Sequence, residues 1–363
     1  MKMRNTILLL LAALLLTLTS CERRELEIYY PETVRLRLDI DWTTKYGSLP
    51  TGTTLLFSKD GDVVTQSMLS NSVKTVYVDL KPGTYGLLLF NQSKDEFGTF
   101  YFDQMDSHTN AFVHALNVSA QTRGVWDEGI TYVYDPERLG AATDTIVITE
   151  AMLEEQVTFA NYESGERTVE VADTSLYIYK EVVTPRTTYL NVRARVRGFN
   201  NMAAVRSYVT GLSTGCSLSQ VWRNADPGTL SLSSWTAVKD TLNDGEGWIY
   251  TRIPTFGFLS GKEYTAQRDS ADNVIKFNFT LRDGTEKAFV FNAGKLIHYI
   301  GHEPGAILTQ SDVVQELELV LDLPYIADEE VIVLPDVEYS EKAGGFDAIV
   351  EPWEDGGTIN IGL

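Results

Sequence analysis

Residues Gly211-Leu212-Ser213-Thr214-Gly215 match G-x-S-x-G. In hydrolases that pattern lifts a serine hydroxyl on a strained strand-to-helix turn toward a histidine. A strand can precede it over Val205 to Thr210. The next residues, Cys216-Ser217-Leu218-Ser219, open no amphipathic helix, and no alternation of strand and helix surrounds them. The expectation is a turn in a β-rich chain, with a serine hydrolase acting through Ser213 as the remote alternative. His298 and His302 stand at i, i+4 and could share a metal on one helical face. Tyr299 occupies the place where a zincin carries glutamate, and Gly301 and Pro304 argue against a helix. The chain has four histidines in all, and His108 and His114 are remote in sequence.

Two charged patterns complete the candidates. Asp39 and Asp41 point the same way on a strand, roughly 7 Å apart at Cα, a spacing that glycoside hydrolysis could use. They continue a polar face begun by Arg35 and Arg37, so a solvated face is expected. Arg193, Arg195 and Arg197 form a basic stripe, for which pairing with acids across neighbouring strands is the default. No phosphate loop, dinucleotide fingerprint, CxxC pair or EF-hand loop occurs. We expect no catalytic residue, no metal and no cofactor. Aromatic residues (Tyr 18, Phe 15, Trp 6) could line a carbohydrate site. Trp222, Trp235 and Trp248 are the test residues for that alternative, but aromatics are also what strands prefer.

The elements that would carry these residues are strands. Val34, Leu36, Leu38, Ile40 and Trp42 alternate with charged residues, the period of a half-buried strand. Leu190, Val192, Ala194 and Val196 alternate with Asn191 and the three arginines. Leu317, Leu319, Leu321 and Leu323 do so with Glu318, Val320 and Asp322. Turn signals Lys59-Asp60-Gly61-Asp62, Lys81-Pro82-Gly83-Thr84 and Arg282-Asp283-Gly284-Thr285 each separate two strand-like runs. Further strands are expected at Thr99 to Phe102, Thr168 to Val171 and Ser175 to Val182. Glu150 to Val157 is the best helix candidate. The tail Thr358 to Leu363 reads as an extended terminal strand. Many short strands between Gly/Asn/Asp turns make an all-β chain of two tandem β-sandwiches, expected over 33–165 and 166–363.

The N-terminus reads as an address. Lys2 and Arg4, an apolar run from Ile7 to Leu16, and Thr19-Ser20 before Cys21 make a bacterial lipoprotein signal over residues 1–20. The apolar run is about ten residues, against roughly 20 for a membrane-crossing helix. Cleavage before Cys21 would leave its thiol to carry the lipid, with Glu22 to Glu32 as a tether of at most about 40 Å. Acyl chains at roughly 0.8 kcal/mol per buried CH₂ then hold the protein on a membrane. The only other cysteine is Cys216, so no intrachain disulfide is expected. A formal net charge of −20 disfavours nucleic acid and anionic lipid surfaces as partners.

The lipoprotein signal Leu18-Thr19-Ser20-Cys21 is followed by a first strand ending in Asp41-Trp42. Next comes Leu80-Lys81-Pro82-Gly83-Thr84-Tyr85, leading into Leu87-Leu88-Leu89-Phe90-Asn91. With the run Tyr189 to Gly198, the run Ser207 to Leu212, and the tail residues Gly344-Gly345-Phe346-Asp347 and Pro352-Trp353-Glu354-Asp355-Gly356-Gly357, this resembles the fimbrillin-like lipoproteins of the Bacteroidales. The resemblance implies two β-sandwiches, the first transthyretin-like, on an outer-membrane lipid anchor with palmitate at Cys21. It implies a role in adhesion or in assembling and anchoring fimbriae. Expected partners are the membrane, through the lipid, and fimbrial subunits by strand exchange or ligands on host or bacterial surfaces. Shaft subunits of that family lose an N-terminal strand to a trypsin-like protease. Here cleavage after Arg35 or Arg37 would fall inside the first strand, so a retained, anchor-like or accessory role is expected, facing outward from the cell. A glycan-binding surface lipoprotein is the alternative. The family's compartment also makes Asp-Ser/Thr motifs relevant to O-glycosylation, at Thr145, Thr241 and Ser270.

Overall fold

The computed structural model describes residues 28–29, 32–60, 62–118, 130–155, 158–159, 177–220, 223, 226–232, 234–301, 316–322, 332–338 and 359–361. The signal, Cys21, most of the tether, the expected strand Thr168 to Val171, Trp222, His302 and the glycine-rich tail lie outside them. The described chain forms two compact units. One draws on residues 28–37, 77–83 and 147–178. In it Ile28–Tyr29 pairs antiparallel with Thr158–Phe159, and the short helix Glu150–Glu155 stands where helix was expected. Arg35 lies over the ring of Tyr77, and Lys81 meets Glu32 at an exposed ion pair.

The other unit draws on 38–76, 84–146 and 179–361 and is built from strands. Its largest sheet runs His298–Tyr299, Leu317–Leu321, Thr188–Arg197, Glu246–Thr255, Trp235–Lys239, Ile359–Ile361, with Ile332–Val333 also beside Thr188–Arg197. A second sheet runs Glu286–Asn292, Val274–Leu281, Met202–Ser213, Pro227–Leu232, Tyr132–Val133. The period-2 pattern explains their packing. Leu190, Val192, Ala194 and Val196 are buried from the first sheet, and Val205, Val209, Ile275, Phe277 and Phe279 from the second, in one continuous apolar core. Trp235 bridges the two, its ring 5.5 Å from that of Phe277. Inner faces meeting across a shared core define a β-sandwich.

A five-stranded sheet takes Thr184–Pro185, Gly140–Ile148, Gly83–Asn91, Thr53–Lys59 and Val64–Ser70 in that order. The expected hairpin at Lys59 forms there, with Asp60 in the left-handed region at φ 48°. Arg282-Asp283-Gly284-Thr285 likewise closes the hairpin of Val274–Leu281 and Glu286–Asn292. The Lys81-Pro82-Gly83-Thr84 turn behaves differently. Thr75–Leu80 and Gly83–Asn91 both form, but they enter different sheets, the former beside Val34–Asp41. Phe112–Ala115 pairs with Gly215–Ser217, and Tyr132–Val133 runs parallel to Pro227–Leu232. Segments distant in sequence thus share ladders as well as a core. The terminal strand is present: Ile359–Ile361 pairs antiparallel with Trp235–Lys239 at the sheet edge.

Candidate functional site

Ser213 is not placed for catalysis. It ends the strand Met202–Ser213 and is buried, its Oγ donating to Gly215 O at 2.7 Å. The chain continues into another strand, Gly215–Ser217, so there is no helix to complete a nucleophile elbow. Gly211 explains part of the motif by itself. It sits at φ 77° within a β-bulge, and a Cβ there would lie 1.8 Å from Asp272 O. That position admits glycine for backbone reasons alone.

His298 lies on a strand, not a helix. Its Nδ1 is 2.9 Å from Leu296 O and its Nε2 is 3.9 Å from Glu318. Among the described residues no group of His, Cys, Asp or Glu could hold a metal ion. Asp41 caps a turn: its carboxylate accepts from the backbone N–H and hydroxyl of both Thr43 and Thr44. Those bonds, led by the Thr44 hydroxyl, hold its carboxyl well below the usual carboxylate range. Asp39 accepts from the Thr75 hydroxyl. Both aspartates thus serve the local backbone and the strand face.

The arginine stripe is the best-formed surface feature. On the outer face of the largest sheet, Arg193 stands opposite Tyr250, Arg195 opposite Trp248 and Arg197 opposite Glu246. Arg195 is held by three acids, at 3.2 Å from Asp240, 2.8 Å from Glu246 and 3.6 Å from Asp322. Arg197 shares Glu246 at 3.4 Å. Arg252 lies 3.5 Å from the Tyr189 ring centroid and pairs with Glu316. Its hydrogen bonds, with one from Asn191, hold the Glu316 carboxyl low. The expected pairing with acids is therefore present for Arg195 and Arg197. Arg193 differs. Its guanidinium lies 4.0 Å from the Trp248 ring centroid, and it takes part in no ion pair among the described residues. With Tyr250, 40% exposed, and Trp248 it forms an aromatic and cationic patch on the sheet face.

The other sequence candidates separate clearly. Trp235 is 2% exposed and its Nε1 donates to Leu232 O, so it is a core residue and cannot face a glycan. Thr241 is exposed in the turn after Trp235–Lys239, and Ser270 is exposed at the start of a short 3-10 helix. Thr145 is exposed but lies within the strand Gly140–Ile148. Tyr250 is not among the sequence candidates; its signal lies in the alternation of Trp248, Tyr250 and Arg252 with Gly247, Ile249 and Thr251.

Fold and site together describe a β-sandwich protein with a patterned sheet face and no catalytic constellation among the described residues. The chain belongs to a family described as a domain of unknown function, DUF5119, whose model matches residues 20–232. No curated protein matches it. Among solved structures it is similar to a candidate adhesin from Bacteroides ovatus, with TM-score 0.52 and 15% identity over 88% of this chain and 99% of that one. At that identity the likeness establishes a shared fold. Also similar is a candidate adhesin from Bacteroides thetaiotaomicron, at TM-score 0.47 and 12% identity over 81% and 92% of the two chains. The fimbrial anchor protein Mfa2 from Porphyromonas gingivalis gives 0.44 and 10% over 79% and 90%.

Proposed function

We propose that the protein is a non-enzymatic cell-surface lipoprotein of fimbrillin type, held on the outer membrane by lipid on Cys21, and that it acts in adhesion or in anchoring fimbriae. The observation that carries this reading is the pair of strands at the chain's two ends. Arg35 and Arg37 lie inside the strand Val34–Asp41, whose Val34, Leu36 and Leu38 are fully buried. A protease would have to break a packed strand to release it, which favours a subunit that keeps its N-terminus and anchor. At the other end Ile359–Ile361 covers the edge strand Trp235–Lys239. A fimbrial subunit's strand could take that place by the same main-chain pairing. The name of the Bacteroides ovatus relative, an adhesin, supports the same role.

In cells fed an alkyne-bearing palmitate analogue, the protein carries the label and fractionates with outer membrane. Cys21→Ala removes the label completely and moves the protein out of the membrane fraction. Membrane retention of the unlabelled variant would overturn lipid anchoring. Thr241 and Ser270 are the O-glycosylation sites we expect to be used, because acceptor threonine and serine must be reached by an enzyme. Thr145 is in a ladder and is expected to be unmodified. Intact-mass measurement of the native protein and of Thr241→Ala and Ser270→Ala checks this; loss of glycan mass only in Thr145→Ala would reverse the assignment.

A second reading, glycan binding, is favoured by the Arg193–Trp248–Tyr250 patch. Aromatic faces stack on sugar rings, and Arg193 would select an acidic one. Retardation in gels containing an acidic polysaccharide should fall at least about tenfold in Trp248→Ala, the loss of roughly 1.4 kcal/mol. Trp235→Phe should leave it unchanged. Equal retardation of native protein in neutral and acidic gels would remove this reading.

A further inference from the structure

Among the described residues of the larger unit three arginines are buried: Arg186 and Arg223 at 3% exposure and Arg268 at 1%. None makes an ion pair among the described residues. Arg268 shows how such a residue is satisfied by neutral groups. Its guanidinium donates to Gly294 O at 2.8 Å and to the carbonyls of Lys262, Glu263 and Ile297, and it packs 3.6 Å from the Phe258 ring centroid. Arg186 and Arg223 are not satisfied in this way. Arg186 Nη2 donates to Leu218 O at 2.8 Å, but its Nε and Nη1 have no partner among the described residues. Arg223 Nε donates to Phe256 O, but its Nη1 has none among the described residues.

Both residues converge on one place. Arg223 forms an isolated antiparallel bridge with Cys216, and Leu218, which receives Arg186, is two residues further along the same segment. Cys216 is fully buried, and burial pushes its thiol above its ordinary range despite both arginines, so it supplies no negative charge. Burial, with repulsion from Arg223, lowers Arg186 to about 10, which still leaves it charged at neutral pH. Two like charges in a low-dielectric interior, with three guanidinium nitrogens unpaired, cost several kcal/mol unless a counter-charge accompanies them.

We propose that Arg186 and Arg223 together hold a small monovalent anion of the halide class beside the Cys216 thiol. The unpartnered N–H groups of both arginines are its donors, and the thiol adds a weak one. A singly charged ion fits better than sulfate or phosphate, because a buried divalent anion would carry the larger desolvation cost. The ion would act as a structural staple. It joins the Gly215–Ser217 strand, paired to Phe112–Ala115, to the segment after Thr184–Pro185 and to the chain at Phe256.

The test uses the folded, untagged chain from Glu22 in gluconate buffer, with chloride added at constant ionic strength. The melting midpoint is expected to rise and saturate, by roughly 4 °C at about 100 times the dissociation constant. Arg223→Gln should flatten the response. Crystals grown in bromide should show an anomalous peak between Arg186 and Arg223, a readout that stands even if the variant does not fold. Identical midpoints in chloride and gluconate, or water in place of bromide between the two arginines, would overturn the proposal.

Discussion

Replacing Trp235 with alanine is expected to destabilise the protein by about 3–5 kcal/mol from lost packing and the cavity left behind. A further ~1 kcal/mol comes from leaving the buried Leu232 carbonyl without its donor. The indole sits between the two largest sheets, 5.5 Å from Phe277, which in turn packs 6.0 Å from Phe279 and 5.9 Å from Phe291. Its backbone pairs with Ile361, so the same residue anchors the edge on which the terminal strand lies. Urea titration of the alanine variant should show a lowered midpoint with an unchanged slope. Trp235→Phe should recover most of the packing but not the hydrogen bond. Trp248→Ala, on the solvent face, should cost less than about 1 kcal/mol. A loss below that level in Trp235→Ala would mean that the ring does not fill the core. The contrast separates the two tryptophans that a sequence-based glycan hypothesis treats alike.

The strands legible in the sequence are those whose buried residues are large and whose exposed ones are charged. Val34–Asp41 and Thr188–Arg197 meet that condition, and their burial alternates as the period requires. Glu246–Thr255 is as long as the latter but is not legible in the same way. Its inward residues include Gly247 and Thr251, and its outward ones include Trp248 and Tyr250 beside Glu246 and Arg252, so the polarity contrast between faces is blurred. Gly247 is small for a reason: a Cβ there would lie 2.4 Å from the Phe199 ring. Turn signals reported chain reversal correctly at Lys81 to Thr84 but could not say which sheet each strand joins, because ladder partners are fixed by non-local packing. The same limit applies to charge. The stripe of three arginines was visible, yet nothing local distinguishes Arg195, enclosed by Asp240, Glu246 and Asp322, from Arg193, which lies on Trp248. Arg186 and Arg223 gave no signal at all, since a single arginine in a polar run looks exposed.

Among the described residues, Glu181 is expected to give the strongest pH dependence. It is 6% exposed on the strand Tyr177–Val182, its Oε1 has no hydrogen-bond partner among the described residues, and it faces Asp144 from Gly140–Ile148. Burial first, and then the charge of Asp144 and a hydrogen bond to it, push its carboxyl from 4.5 up to about 8. Between those values the native state holds a proton that the unfolded chain has released. Stability therefore falls as pH rises through that window, and the loss is complete above about pH 8. A shift of this size corresponds to at most about 4–5 kcal/mol. Glu181→Gln keeps the shape, removes the ionisable group, and its amide can still donate to Asp144. Its unfolding free energy should exceed that of the native sequence by a few kcal/mol above pH 8 and converge with it near pH 4.5. Asp144→Asn should remove only the smaller, Coulombic part of the slope. Urea unfolding of the three proteins between about pH 5 and 9 measures this directly. Parallel curves for the native sequence and Glu181→Gln would show that Glu181 is already ionised in the fold. In that case the carboxylate would need a donor that is not present among the described residues.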